Sequence, residues 1–187
     1  MKLEAHDGRE LIRLARECID EALRVQTLPP FPKRDYCPAL RQVRSAFVTL
    51  RTREQLRGCC GSIEPSRPLA EEVWQVAWAA AFQDPRFPPL DTAEWRTIHL
   101  HVSVLEPPRP LELASERDLI ARLRPGIDGL VLECEGAHAT FLPSVWAHLP
   151  HPREFVRHLK TKAGWSADFW SADMRASVYA VQEFEEG

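Results

Sequence analysis

Residues 46–61 read AFVTLRTREQLRGCCG. Phe47, Val48 and Thr49 are strand formers, and the charged RTRE that follows Leu50 is turn-like. QLRGCCG can then return as a second strand, so the stretch predicts a hairpin. Residues two apart on a strand share a face. That phase puts Arg57 and Cys59 on one side and Leu56, Gly58 and Cys60 on the other. Cys60 then reads as a small core residue. Cys59 sits beside a guanidinium, and a neighbouring cation favours thiolate. Gly58 and Gly61 let a second backbone or a ligand come close. Two readings of Cys59 stay open: a small buried hydrophobe, or a reactive thiol.

Outward from the hairpin, the periodicity marks further elements. A first helix carries Leu11, Leu14, Ala15, Cys18, Ile19 and Ala22 on one face, with Asp7 as its cap and Glu10 three residues on. Pro29 and Pro30 end it. A second helix runs from about Pro68 to Phe82, with Leu69, Val73, Val76, Ala77 and Ala80 on one side. Trp74, Trp78 and Ala81 widen that side, so the helix is mostly buried. In IHLHVSVLEPP (98–108), Ile98, Leu100, Val102 and Val104 alternate with His99 and His101, which predicts a half-buried strand. Ser115 caps a short helix through Leu123. GLVLECEGAHATFL (129–142) predicts a second hairpin turning near Gly136. Pro152 opens a helix with Gly164 just past its end, and ASVYAVQEF (176–184) closes the chain as an alternating strand. Irregular alternation with two hairpins predicts an α+β fold rather than a doubly wound sheet. The expected architecture is two intimately packed subdomains, each a small, largely antiparallel sheet with helices. Residues 36–109, with LRGCCG, form the smaller, inserted one. Residues 1–35 and 110–187 form the larger, which carries both termini.

Composition removes several classes of function. The 187 residues hold 24 Lys+Arg against 27 Asp+Glu, a net charge of -3, with no basic stripe to suit nucleic acid. No apolar run approaches the ~18 residues of a membrane span, and the charged N-terminal stretch does not read as a signal peptide. The expected location is therefore cytoplasmic. Five cysteines, an odd count, point to free thiols in a reducing compartment. His99 and His101, or His148 and His151, lack a recognised metal-ligand spacing, and CC is not CxxC. No metal is expected. No phosphate loop and no G-x-S-x-G is present, and no cofactor is expected. A second candidate is AFQDPRFPPL (81–90), a proline-locked turn. Asp84 and Arg86 can pair there, or one can face a ligand. The alternative is a structural corner in which Asp84 satisfies local backbone donors.

LRGCCG, EPSRPLAEEV, AAFQDPRFPPL, VSVLEPP, GIDGLVLE, ATFLPSVW and FVRHLKTKAG occur in that order. Together they resemble the AMMECR domain family, protein A of the AmmeMemoRadiSam set, over nearly the whole chain. The family signature is LRGC, an aliphatic residue and Gly; Cys60 here replaces the aliphatic. That agrees with a core-facing position 60 and makes Cys59 the signature cysteine. The resemblance implies an α+β fold of two subdomains, with the signature near the cleft between them. It also implies two partners, a Memo-like protein and a radical SAM enzyme, and it raises Cys59 and Arg57 as functional residues. No settled reaction comes with it. Two functions follow: an accessory or substrate-binding component of that set, with a small-molecule substrate, or an enzyme in its own right using Cys59 as nucleophile or redox thiol. The expected site is Cys59, with Arg57, Gly58, Gly61, Asp84 and Arg86 as binding residues.

Overall fold

The computed structural model describes residues 2–53 and 55–186. The chain is α+β, with two four-stranded sheets in two compact units, Met1–Leu105 with Gln182–Gly187, and Glu106–Val181.

In the first unit, β1 (Ala46–Thr52) pairs antiparallel with β2 (Gln55–Gly61) and with β3 (His99–Leu105). The sheet order is β2-β1-β3-β8, where β8 is Val181–Glu185. Glu54, in the expected turn, lies outside the described residues. Ala46, Val48 and Leu50 of β1 and Leu100, Val102 and Val104 of β3 are buried on one face. Helices α1 (Ala5–Val25) and α2 (Leu69–Phe82) join the same core through the apolar residues that their spacing marks. Asp7 lies one turn further into α1 than a cap. Glu4 is the N-cap, and its backbone N–H donates to the Asp7 carboxylate at 2.9 Å while the Glu4 side chain accepts from the Asp7 amide. A one-turn helix, α3 (Thr92–Trp95), is capped by Asp91 ahead of β3.

The second unit holds the sheet β4-β7-β5-β6, antiparallel throughout, built from Arg109–Leu111, Arg175–Tyr179, Gly129–Cys134 and Ala137–Phe141. The β5–β6 hairpin turns at Glu135 and Gly136, both at positive φ. Ser115 caps α4 (Glu116–Arg122) by accepting from the Asp118 amide. α5 (Pro152–Lys162) buries Phe155, Val156 and Leu159, with Trp146 stacked on Phe155 at 3.8 Å between centroids.

Two further expectations differ from the structure. Residues 1–35 sit with the first sheet, because the apolar stripe of α1 packs on α2 and β3. The first unit is therefore the larger and carries both ends, and the second is the insertion. ASVYAVQEF is two strands, not one: β7 lies in the second sheet and β8 in the first, separated by Ala180 alone.

Candidate functional site

Register decides which LRGCCG side chains share a face. Val48 pairs with Cys60, Thr49 with Cys59, and Leu50 with Gly58. Paired residues point to the same side. Cys60 therefore lies with Val48 against the core, and burial pushes its thiol above the ordinary value. Cys59 points to the opposite face, beside Thr49. Beyond Gly58 the phase breaks, because Leu56, not Arg57, pairs with Arg51. Arg57 is the extra residue of a bulge. Leu56 consequently joins Arg51 on the outer face and is 41% exposed, against the expectation that it shares the core side.

The two glycines serve packing. A Cβ on Gly58 would lie 2.2 Å from the Ala80 carbonyl oxygen of α2, and one on Gly61 would lie 2.4 Å from the Phe47 ring. The close approach that the sequence predicts at Gly58 is made by a helix backbone.

The Arg57 guanidinium is taken up by a carboxylate and a carbonyl. Its Nε and Nη2 donate to the two oxygens of Glu94, each at 2.8 Å, and Nη2 also donates to the Pro88 carbonyl at 3.0 Å. The guanidinium holds the Glu94 carboxyl below its ordinary value. With its side chain 11% exposed, Arg57 fastens β2 to α3 and the proline-locked loop.

The cation beside Cys59 is Arg86. Asp84 directs it there by accepting four hydrogen bonds. Its Oδ2 accepts the Cys59 backbone N–H at 2.9 Å and Arg86 Nη2 at 2.6 Å. Its Oδ1 accepts Arg86 Nε at 2.9 Å and the Arg86 backbone N–H at 3.1 Å. Arg86 first, and then the two backbone amides, hold the Asp84 carboxyl well below the usual range. A carboxylate so occupied is no proton acceptor; it is a clamp. Arg86 Nη2 also reaches the Cys59 carbonyl at 3.5 Å. Its side chain is 54% exposed, and Nη1 makes no hydrogen bond among the described residues. Phe87 lies between the two arginines, its ring centroid 5.7 Å from Arg57 Cζ and 5.6 Å from Arg86 Cζ.

Sequence reasoning places Asp84 and Arg86 in one turn and Cys59 in one strand, and the structure brings the three together. It misses Glu94, Phe87 and Thr49. It also leaves His101 unconnected. Thr49 pairs with Cys59 on one side and His101 on the other. The Thr49 hydroxyl donates to Cys59 Sγ at 3.4 Å, and His101 Nδ1 lies 3.3 Å from Glu185 Oε1 on β8. Cys59, Thr49, His101 and Glu185 thus form one row across four strands. The alternation of β1 and β3 already puts Thr49 and His101 on the outer face; only register aligns them.

A separate groove of about 810 Å³ runs along α1, lined by Arg9, Arg16, Asp20, Pro29 and Trp74 among others. None of the expected site residues lines it. Its Arg16 is committed to the Ile98 carbonyl, Glu186 and the Trp95 ring. Among the described residues no helix is long and apolar enough to cross a membrane.

The AMMECR1 family matches residues 12–184. A protein of Methanothermobacter thermautotrophicus is 38% identical over 98% of this chain and 96% of its own length. One from Methanopyrus kandleri is 34% identical over 99% of this chain and 91% of its own. The crystal structure of an uncharacterised Pyrococcus horikoshii protein superposes with a TM-score of 0.85 at 33% identity, covering 100% of this chain and 94% of that one.

Proposed function

Since the chain belongs to the AMMECR1 family, we propose that it is a cytosolic accessory component that binds a small anionic molecule and works with a Memo-like protein and a radical SAM enzyme. The observation that supports this reading is the Asp84 clamp. It spends one carboxylate on fixing a half-exposed guanidinium over the Cys59 segment, leaving Nη1 to meet an incoming acceptor. Planar forks of this kind suit carboxylate and phosphate. The partners follow from the family resemblance.

Calorimetric titration of the purified chain with a purified Memo-like protein and a purified radical SAM enzyme tests the reading. Saturable binding to at least one is expected, weakened in folded Arg86→Gln. Absence of binding to both, or binding indifferent to Arg86→Gln, would overturn it.

A second reading, a thiol-dependent enzyme using Cys59, is favoured by a different observation. The outward thiol receives the Thr49 hydroxyl, which stands in line with an imidazole.

A further inference from the structure

We propose that Cys59 is activated by His101 through the hydroxyl of Thr49, and that the resulting thiolate attacks a small electrophile whose acidic group is held by Arg86. This rests on the second reading above and supplies the base that it lacks.

The geometry comes from the register. Thr49 is the cross-strand partner of both Cys59 and His101. Side chains directly opposite on adjacent strands have Cβ atoms about 4.5–5.5 Å apart, so a residue between two others can touch each. On the Cys59 side the link is a hydrogen bond from Thr49 Oγ1 to Sγ at 3.4 Å. On the far side His101 turns Nδ1 to Glu185 at 3.3 Å, which leaves Nε2 for the proton. The contact with Glu185 orients the ring and fixes which nitrogen is left for proton uptake.

The proton moves by exchange. The thiol proton passes to Thr49 Oγ1 as the hydroxyl proton passes to His101 Nε2, giving a thiolate and an imidazolium. Thr49 then donates to sulfur, which is the direction of the hydrogen bond in the structure. The thiolate forms a sulfur–carbon bond with the electrophile, and the leaving group departs with its bonding pair. Arg86 supplies selectivity for charge, with its guanidinium 3.5 Å from the Cys59 carbonyl; a negative Cys59 in turn favours the Arg86 cation.

Other charged groups surround the row. Arg51 of β1 and His99 of β3 form the next rung on the outer face, and Glu183 lies two residues from Glu185 on β8. Arg57 is neutralised by Glu94, and Asp84 is tied to Arg86. None of these is removed by changing Thr49 or His101, so those changes isolate the relay.

The test is the rate of Cys59 alkylation by iodoacetate and by iodoacetamide, followed by peptide mass spectrometry from about pH 5 to pH 10, the range in which imidazoles and thiols titrate. In both reactions sulfur bonds to the methylene carbon and iodide leaves. The full chain is compared with His101→Gln, Thr49→Val, Thr49→Ser and Arg86→Gln, each checked by circular dichroism. The alkylation rate on the acid side of the profile is expected to fall several-fold in His101→Gln and in Thr49→Val, and to return in Thr49→Ser. The rate with iodoacetate relative to iodoacetamide is expected to fall several-fold in Arg86→Gln. An inert Cys59 would overturn the thiol reading and this inference together. A reactive Cys59 whose acid-side rate is unchanged in His101→Gln, or lowered there but not in Thr49→Val, would overturn the relay alone. An unchanged reagent preference in Arg86→Gln would overturn the anionic electrophile.

Discussion

Gly58→Ala is expected to destabilise the chain by about 3 kcal/mol. The added Cβ would sit 2.2 Å from the Ala80 carbonyl oxygen and 3.2 Å from the Ala80 carbonyl carbon. Ordinary contact begins near 3.4 Å, so one partner must retreat by more than an ångström. The obstacle is a helix backbone and cannot rotate aside. Ala80 is buried, and its neighbours along α2 are locked into the core of the first unit. Overpacking of a filled interior costs about 1–3 kcal/mol, and rigid backbone on both sides puts this site at the upper end. For a chain of this length each kcal/mol lowers Tm by about 2–4 °C, so the fall is about 6–12 °C. Chemical denaturation with an unchanged slope is the assay. A stability equal to wild type would show that β2 and α2 do not approach so closely. It would return Gly58 to the list of ligand-facing positions.

Acid sensitivity follows from Asp84 and Glu94, whose carboxyls are held below their ordinary values of 3.8 and 4.5. A depressed folded value contributes stability above the ordinary value and loses it as pH falls through the folded one. Asp84→Asn is therefore expected to be less stable than wild type at pH 7, with the difference shrinking below pH 3.8, as pH-resolved denaturation would show; a constant gap would contradict the clamp. Arg57→Lys loses the two-pronged contact with Glu94 and is expected to cost about 0.5–1 kcal/mol, since Glu94 is half-exposed. A double-mutant cycle with Glu94→Gln measures the coupling, and a value of zero would refute it. Cys60→Ile places an aliphatic beside Val48 on the core side and is expected to stay within about 1 kcal/mol of wild type; a Tm lowered by many degrees would refute an aliphatic pocket.

Much of this architecture is legible because burial writes a period into the sequence. Ala46, Val48 and Leu50, and Leu100, Val102 and Val104, carry the two-residue period of one buried face. What escapes is whatever depends on a partner distant in sequence. The stripe of α1 says that it must be covered, not that α2 and β3 cover it. ASVYAVQEF keeps its alternation through Ala180 with no glycine or proline, so nothing local marks the change of sheet. The bulge at Arg57 is invisible for the same reason. It answers to Glu94 on α3 and to the Ala80 carbonyl on α2. His101 is visibly outward on its strand, but its alignment with Cys59 exists only once β1 lies between them.

The same partners explain why Cys59 and Cys60 have different fates. Each position of RGCCG answers to a separate demand. Arg57 is taken up by Glu94 and the Pro88 carbonyl, Gly58 makes room for a helix backbone, Cys60 lies against the core beside Val48, and Gly61 clears the Phe47 ring. At position 59 the backbone is engaged, with its N–H on Asp84 and its carbonyl near Arg86, while the side chain meets the Thr49 hydroxyl on the face away from the core. Its main chain is fixed by Asp84 and Arg86, while its half-buried side chain lies beside Thr49. The stability cost of Gly58→Ala and the pH profile of Cys59 alkylation therefore probe two separable properties of neighbouring residues. A Cys59→Ser chain as stable as wild type would fit that separation, whereas a large loss of stability would show that the thiol packs after all.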